Sequence, residues 1–235
     1  MKTIDICMTS WPNHPERIKY TLTVLRALRD NLTASRHNLR FYMSAETQRD
    51  PKHSWHGREL AELSVEFDIE FQWRDRTANL GANMNAAMRM GTGEFILLQQ
   101  DDWLLKEPLD LSPGADLLEK HGSLDIVRYC WPDNDRMRPT YNGELDGWRT
   151  IDPKGKWPYG DDPHLRRRDF MGKWRWYKEG GCHGSASSNL MQMMVDHNAL
   201  SVVADKVYYK HHGRVSAVIN GPRGREERRD ECLKQ

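Results

Sequence analysis

The chain has 235 residues and a formal net charge of +1, so no strong overall field recruits nucleic acid or an acidic membrane. A mean hydropathy of −0.83 is polar for a globular protein, yet nine Trp and eight Tyr supply enough buried area to exclude disorder throughout. Ile4 to Met8 is a short apolar run with strand character, closing on Thr9-Ser10-Trp11-Pro12. After a Pro-Asn-His-Pro turn, Ile18, Leu22, Leu25 and Leu28 recur at helical spacing. Leu39 to Met43 reads as a second strand, followed by a polar stretch from Ser44 to Arg58. Leu60 to Leu63 continues as helix, and Val65 to Trp73 alternates apolar and polar as a third strand would. Ala82 to Met90 favours helix and ends at Gly91 and Gly93, which suit C-terminal caps. Phe95-Ile96-Leu97-Leu98 is then a continuous apolar run, the pattern of a strand buried on both faces.

Beyond Asp110 the periodicity weakens. Leu124 to Trp131 and Val202 to Tyr209 read as two further strands, and Pro132 to Asp162, rich in Pro, Gly, Asp and Asn, reads as long loops. Gly221 to Gln235 is a charged tail or surface helix. Strands alternating with helices predict an α/β fold, with a mostly parallel central sheet flanked by helices and a loop-rich C-terminal half. No second domain is evident. The cysteines Cys7, Cys130, Cys182 and Cys232 are widely spaced, without a C-x-x-C pair. The opening residues hold too short an apolar stretch for a signal peptide, and no run approaches a transmembrane segment, so the expected home is a reducing cytoplasm.

Gln100-Asp101-Asp102-Trp103 follows the buried strand directly. In parallel α/β sheets ligands bind beyond the carboxyl ends of the strands. Two adjacent carboxylates there repel one another unless a positive group compensates them. A divalent cation carrying a diphosphate does so, because Mg²⁺ and Mn²⁺ prefer carboxylate, phosphate and water oxygens. A solvated acidic turn is the bland alternative.

The wider block resembles a known family. Asn79-Leu80-Gly81, Asn85-Ala86-Ala87, Gly91-Thr92-Gly93-Glu94-Phe95-Ile96 and Gln100-Asp101-Asp102 together look like the central signature of family 2 glycosyltransferases. The resemblance is close over residues 79 to 103 and loose, by order of elements, over 3 to 103. It implies a single GT-A (Rossmann-like) domain over 1–220, with 1–103 binding the nucleotide sugar, 104–220 binding the acceptor, and 221–235 as the tail. It implies an enzyme: a metal-dependent transferase moving a sugar from a nucleotide-diphosphate donor, a UDP-sugar favoured, onto an acceptor hydroxyl with inversion. The acceptor could be a glycan, a small molecule, a protein or a modified nucleic-acid base.

The resemblance also distributes roles. Asp102 matches the metal-binding Asp, for Mn²⁺ or Mg²⁺, while Asp101 takes the variable middle position. Gln100 stands where the family has its first Asp and keeps hydrogen-bonding capacity without charge. Thr9, Ser10 and Trp11 fall in the loop that contacts the nucleoside, with Arg17, Arg76 and Asn79 as further donor contacts. Ser44 and Glu46 stand where an acidic residue usually meets the uracil or ribose, and Glu46 is the donor-binding candidate there. Late in the chain, Val207-Tyr208-Tyr209-Lys210-His211-His212-Gly213 resembles the element whose His completes the metal site, and His212 is favoured by its place before Gly213.

Inverting transfer needs a base for the acceptor proton. The family's late Glu-Asp pair is absent between Pro163 and Val202, leaving Glu179, His183 and Asp196 as catalytic candidates in that order. His164 to Lys178 interleaves Arg166, Arg167, Arg168, Lys173, Arg175 and Lys178 with four aromatics, which suits an acceptor-side surface or a solvated amphipathic segment. Two other readings compete. A sugar-phosphate nucleotidyltransferase would need an early Gly-rich loop, and Met8 to Arg17 has no glycine. A non-catalytic carbohydrate- or nucleic-acid-binding module on a degenerate scaffold would fit Gln100 and the missing pair.

Overall fold

The computed structural model describes residues 1–10, 15–46, 55–74, 80–130, 138–160, 162–179 and 185–211. Strand β1 (Thr3–Ser10) leads into helix α1 (Pro15–Asn31), the short β2 (Leu32–Thr33) and β3 (Asn38–Glu46). Then come α2 (Trp55–Glu66), β4 (Ile69–Arg74), α3 (Leu80–Met90) and β5 (Phe95–Gln100). The second half holds β6 (Trp103–Leu105), β7 (Leu109–Asp110), α4 (Ser112–Lys120) and β8 (Leu124–Arg128). It continues through β9 (Tyr141–Leu145), β10 (Trp148–Ile151), β11 (His164–Arg167) and α5 (Phe170–Trp174). The last described elements are α6 (Ser185–Asp196), β12 (Leu200–Val203) and β13 (Tyr209–His211).

Nine strands form one sheet in the order β4-β3-β1-β5-β11-β8-β12-β10-β9. Only β11 and β10 run against the rest, so the sheet is mostly parallel, as the alternation of elements predicts. Both faces are covered. Ile4, Ile6, Phe95 and Leu97 meet α1, α2 and α4 on one face. Cys7, Ile96 and Leu98, alternating with them, meet α3, α5 and α6 on the other. The unbroken apolar run in β5 is thereby explained, since neither parity faces water. Burial pushes the Cys7 thiol up to about 12, helped by the nearby Asp5 carboxylate, so it packs as an inert apolar group.

The chain crosses from β4 on one side of β1 to β5 on the other, and this reversal opens a crevice above the carboxyl ends of β1 and β5. The Gly-Thr-Gly turn before β5 has a tighter purpose than a helix cap. A Cβ at Gly93 would lie 2.8 Å from both Asp5 Oδ1 and the Thr3 carbonyl oxygen. The bare backbone lets the Gly93 amide donate to the buried Asp5 carboxylate at 2.6 Å.

Four expectations are corrected. Val65 is exposed and helix α2 runs through it to Glu66; Asp68, at φ 51°, then turns the chain, and the strand begins only at Ile69. Leu60 and Leu63 are buried at helical spacing, and that pattern prevails over the local alternation. The stretch expected as loops contains the hairpin β9–β10, closed by Asp146 and Gly147 at φ 50° and 84°, the Asp-Gly pair of a type I′ turn. Leu124 to Trp131 yields a strand only to Arg128. Val202 to Tyr209 is two strands: β12 in the main sheet, and β13 leaving it to pair antiparallel with β6. Among the described residues no helix is long and apolar enough to cross a membrane. The expected tail at 221–235 lies outside the described residues.

Candidate active site

Asp101 is the first residue past β5, and its amide donates to the Thr9 carbonyl at 3.1 Å, continuing the β1–β5 pairing by one step. Its carboxylate is buried and enclosed by donors. Arg17 of α1 grips both oxygens, Nε at 3.1 Å from Oδ2 and Nη2 on Oδ1. Ser10 Oγ donates to Oδ2 at 2.7 Å and Thr21 Oγ1 at 3.3 Å. The Arg17 cation is held charged: burial works against it, and the adjacent Asp101 and Asp102 more than compensate. Asp101 therefore ties β1, α1 and β5 together at the floor of the crevice.

Asp102 is different. Its Oδ1 is buried, with no hydrogen-bond partner among the described residues. Its Oδ2 lies 3.5 Å from Arg17 Nη2 and 3.4 Å from His211 Nε2. Burial alone would raise this carboxyl, but His211 and the Arg17 charge outweigh it and hold Asp102 below the usual carboxylate range. His211 arrives through topology: β13 pairs with β6 so that His211 stands opposite Trp103, and the two rings stack at 4.6 Å between centroids. Tyr209, two residues earlier, is buried on β13. His212, the expected ligand, lies outside the described residues. Among the described residues no cluster of three or more His, Cys, Asp or Glu could hold a metal.

The start of α3 is fastened to the same edge. Asn83 Nδ2 donates to the Ser10 carbonyl at 3.2 Å, and Ser44 Oγ, at the carboxyl end of β3, donates to Asn83 Oδ1. Thr9 and Ser10 pair with Ser44 and Ala45 in register, so the expected nucleoside loop and the end of β3 are adjacent. Of the expected donor contacts, Thr9 is buried, while Ser10 and Arg17 are engaged with Asp101. Gln100 closes β5 and is partly exposed. Trp11, Arg76 and Asn79 lie outside the described residues, as does the side chain of Glu46.

The base candidates separate. Glu179 is half-exposed, and its Oε1 accepts from Asn85 Nδ2 at 2.8 Å and Arg89 Nη1 at 3.3 Å, both on α3. Asn85 also clamps the Tyr177 backbone, donating to its carbonyl at 2.9 Å and accepting from its amide at 3.1 Å. Asp196 ends α6 just before β12 begins, at the amino edge of the sheet and opposite Asp102. There it accepts from Gln192 at 2.8 Å. His183 lies outside the described residues.

The expected basic, aromatic surface divides: Lys173, Arg175, Trp176 and Lys178 are exposed, while Arg166, Arg167 and Arg168 turn to internal partners. Arg166 is fully buried in β11 under the rings of Phe170 and Tyr177, at 4.6 and 5.5 Å. Arg167 donates to the carbonyls of Leu118 at 2.7 Å and Gly122 at 2.9 Å, which end α4. Arg168 donates to the Met88 carbonyl at 2.9 Å and pairs with Asp5. These three arginines hold the sheet to its helices, which removes them as an acceptor surface. Sequence reasoning had no access to this, because β11 is a four-residue strand inserted between two distant ones.

The reversal of strand order at β1/β5, the carboxylate pair beyond β5 and the returning β13 define the GT-A fold of nucleotide-sugar transferases. S. aureus TarS 1-349 in complex with UDP-GlcNAc is similar, with TM-score 0.63, 15% identity, and 89% of this chain and 58% of that chain covered. The same protein in complex with UDP gives 0.63, 15%, and 89% and 60%. The mannosyltransferase PcManGT from Pyrobaculum calidifontis, in complex with GDP-Man and Mn²⁺, gives 0.54, 13%, and 88% and 58%. At these identities the likeness establishes the fold, and this chain spans 58–60% of the length of those it resembles. No protein-family model matches the sequence, and no curated protein matches it.

Proposed function

We propose that the chain transfers a sugar from a nucleotide-diphosphate donor, a UDP-sugar, onto an acceptor hydroxyl with inversion. The observation that carries this reading is Asp102: a carboxylate kept ionised at the switch point, with one buried oxygen lacking a hydrogen-bond partner among the described residues. That oxygen suits a divalent cation, and the likeness to a mannosyltransferase bound to GDP-Man and Mn²⁺ supports the choice. Asp102 and His211 would hold Mn²⁺ or Mg²⁺, with His212 as a further candidate. The cation's contribution is to neutralise charge on the departing diphosphate.

The chain's own residues supply the rest. Asp101, saturated by Arg17, Ser10 and Thr21, fixes the floor on which the donor rests. Arg17 adds positive charge beside the diphosphate position. We assign the nucleoside side of the crevice to Thr9, Ser10 and Gln100, with Trp11, Glu46, Arg76 and Asn79 as candidates from the sequence. The acceptor oxygen attacks the anomeric carbon as its bond to the diphosphate oxygen breaks, and the acceptor proton passes to a carboxylate. We assign that role to Glu179, whose two hydrogen bonds among the described residues both fall on Oε1. We read residues 1–220 as one domain with its donor half in 1–103.

The test is a thermal-shift series with UDP, GDP and their sugars, each with and without Mn²⁺. A ligand that binds only the native state raises the unfolding midpoint by mass action. A Mn²⁺-dependent rise with UDP is the expected result. No rise with any nucleotide would shift the reading to a non-catalytic binding module.

A further inference from the structure

We propose that Gln99 is a positioning residue for the metal centre: its side-chain amide closes the turn that carries Asp101 and Asp102 and fixes the strand against which His211 stands. This role depends on the transferase reading above, whose metal site it serves. Gln99 lies within β5 and is fully buried. By strand alternation it shares the apolar face of Phe95 and Leu97, where a hydrocarbon side chain is the ordinary occupant.

A buried amide is tolerated where its polar atoms are engaged. Gln99 Nε2 donates to the Gln100 carbonyl at 2.8 Å and to the Trp103 carbonyl at 2.7 Å. These two carbonyls flank Asp101 and Asp102, which make up the whole connection between β5 and β6. Because a carbonyl oxygen can only accept, the NH₂ end is fixed toward them, and Oε1 is left buried with no hydrogen-bond partner among the described residues. A leucine or methionine there would carry no such orphan acceptor, so packing alone does not account for the amide. What the amide adds is a bracket: two hydrogen bonds from one nitrogen set the spacing between the entry and the exit of the turn.

The bracket acts on both candidate metal ligands. Asp101 has anchors of its own, the backbone bond to Thr9 and the pair with Arg17. Asp102 is held more loosely, with its carboxylate contacts at 3.4 and 3.5 Å. Its placement therefore depends on the backbone that Gln99 closes. At the exit of the turn, Trp103 receives the second bond. Trp103 stands opposite His211 in the β6–β13 pairing and stacks on its ring at 4.6 Å. One buried amide thus sets Asp102 and His211 relative to each other. Groups that orient metal ligands in this way change metal affinity by roughly ten- to a hundredfold when they are lost.

The experiment measures Mn²⁺ bound to the full chain in saturating UDP, from the electron paramagnetic resonance signal of free Mn²⁺, with unfolding midpoints alongside. Gln99→Met keeps the length and removes both donors, and its Mn²⁺ affinity is expected to fall by roughly ten- to a hundredfold. Gln99→Asn keeps an amide one methylene short of the two carbonyls; it should fall in between, and it carries the test if Gln99→Met does not fold. Gly93→Ala is the control. It loosens the amino edge of the sheet, away from the turn, and should lower the midpoint while Mn²⁺ affinity stays at the wild-type value. Wild-type affinity in Gln99→Met, or in Gln99→Asn where the Met variant does not fold, overturns the proposal and leaves the transferase reading standing. So does an equal loss of affinity in Gly93→Ala, which would make the effect one of general loosening. A wild type that binds no Mn²⁺ with UDP sinks the metal site, and this role with it.

Discussion

Arg17 and Asp101 close a two-point ion pair across 84 residues of sequence, joining the first turn of α1 to the end of β5. Both side chains are nearly withdrawn from water, at 11% and 2% exposure, so neither tolerates loss of the other. Removing one partner of such a pair costs about 3–5 kcal/mol, because it strands a buried charge. Arg17→Met and Asp101→Leu should each lower the unfolding midpoint by roughly 6–20 °C. The double variant should lose less than the sum of the two. Strict additivity in a double-mutant cycle would show that the pair is not coupled.

Asp102 should behave in the opposite way. It has a buried oxygen without a hydrogen-bond partner among the described residues and lies near Arg17 and His211, so it serves a ligand more than the fold. Asp102→Asn is expected to keep the wild-type midpoint within about 2 °C, since a small change in stability moves a chain of this size only slightly. The Mn²⁺-dependent shift with UDP should disappear. His211→Ala should weaken that shift at a modest cost in stability, since it gives up a half-exposed contact to Asp102 and its packing on the Trp103 ring. A full Mn²⁺-dependent shift in Asp102→Asn would remove this residue from the metal site.

How much was legible in the sequence follows from the range of each interaction. Strands β1, β3 and β5 and helices α1 and α3 show in the local pattern, because their apolar periods are set by burial against the sheet. The position of Asp102 just beyond β5 was legible for the same reason: it follows a run that only a doubly buried strand carries. The His-His-Gly element marks the segment that returns beside Asp102, but the β13–β6 register that brings His211 within 3.4 Å of it is encoded in no local pattern. Arg166 misleads because a basic residue among aromatics looks solvated, whereas its guanidinium lies under two rings in a strand that pairs with β5 and β8. The β9–β10 hairpin was readable from Asp146-Gly147 and was masked by the surrounding turn-rich composition.

Gly93 links the signature segment to the core. Adding a methyl group there sets a carbon 2.8 Å from a carbonyl oxygen that cannot move without disturbing β1. Gly93→Ala should destabilise by about 1–3 kcal/mol through overpacking, with loss of the 2.6 Å amide bond to Asp5 as the structure shifts. Denaturant unfolding measures this directly. A midpoint equal to wild type would mean that the Gly-Thr-Gly turn moves aside at no cost, and the close approach would then explain nothing.

His164 gives a pH prediction with a definite sign. The imidazole is fully buried; its Nδ1 lies 2.7 Å from the Asp162 carbonyl, and its Nε2 has no hydrogen-bond partner among the described residues. Burial first, and the positive charge of Arg166 next, push its pKa down to about 3 from the ordinary 6.5. Between those values the unfolded chain binds a proton at this site and the folded chain does not, so stability rises with pH across the window. The contribution is fully present above pH 6.5 and is lost as pH falls toward 3, at up to about 1.4 kcal/mol per pH unit. His164→Asn removes the titration, so the stability gap between wild type and variant should narrow or reverse as the pH drops from 6.5 to 4. Chemical denaturation of both proteins at half-unit pH steps makes the comparison. A gap that stays constant over that range would mean that His164 accepts its proton in the folded protein as readily as in the unfolded chain.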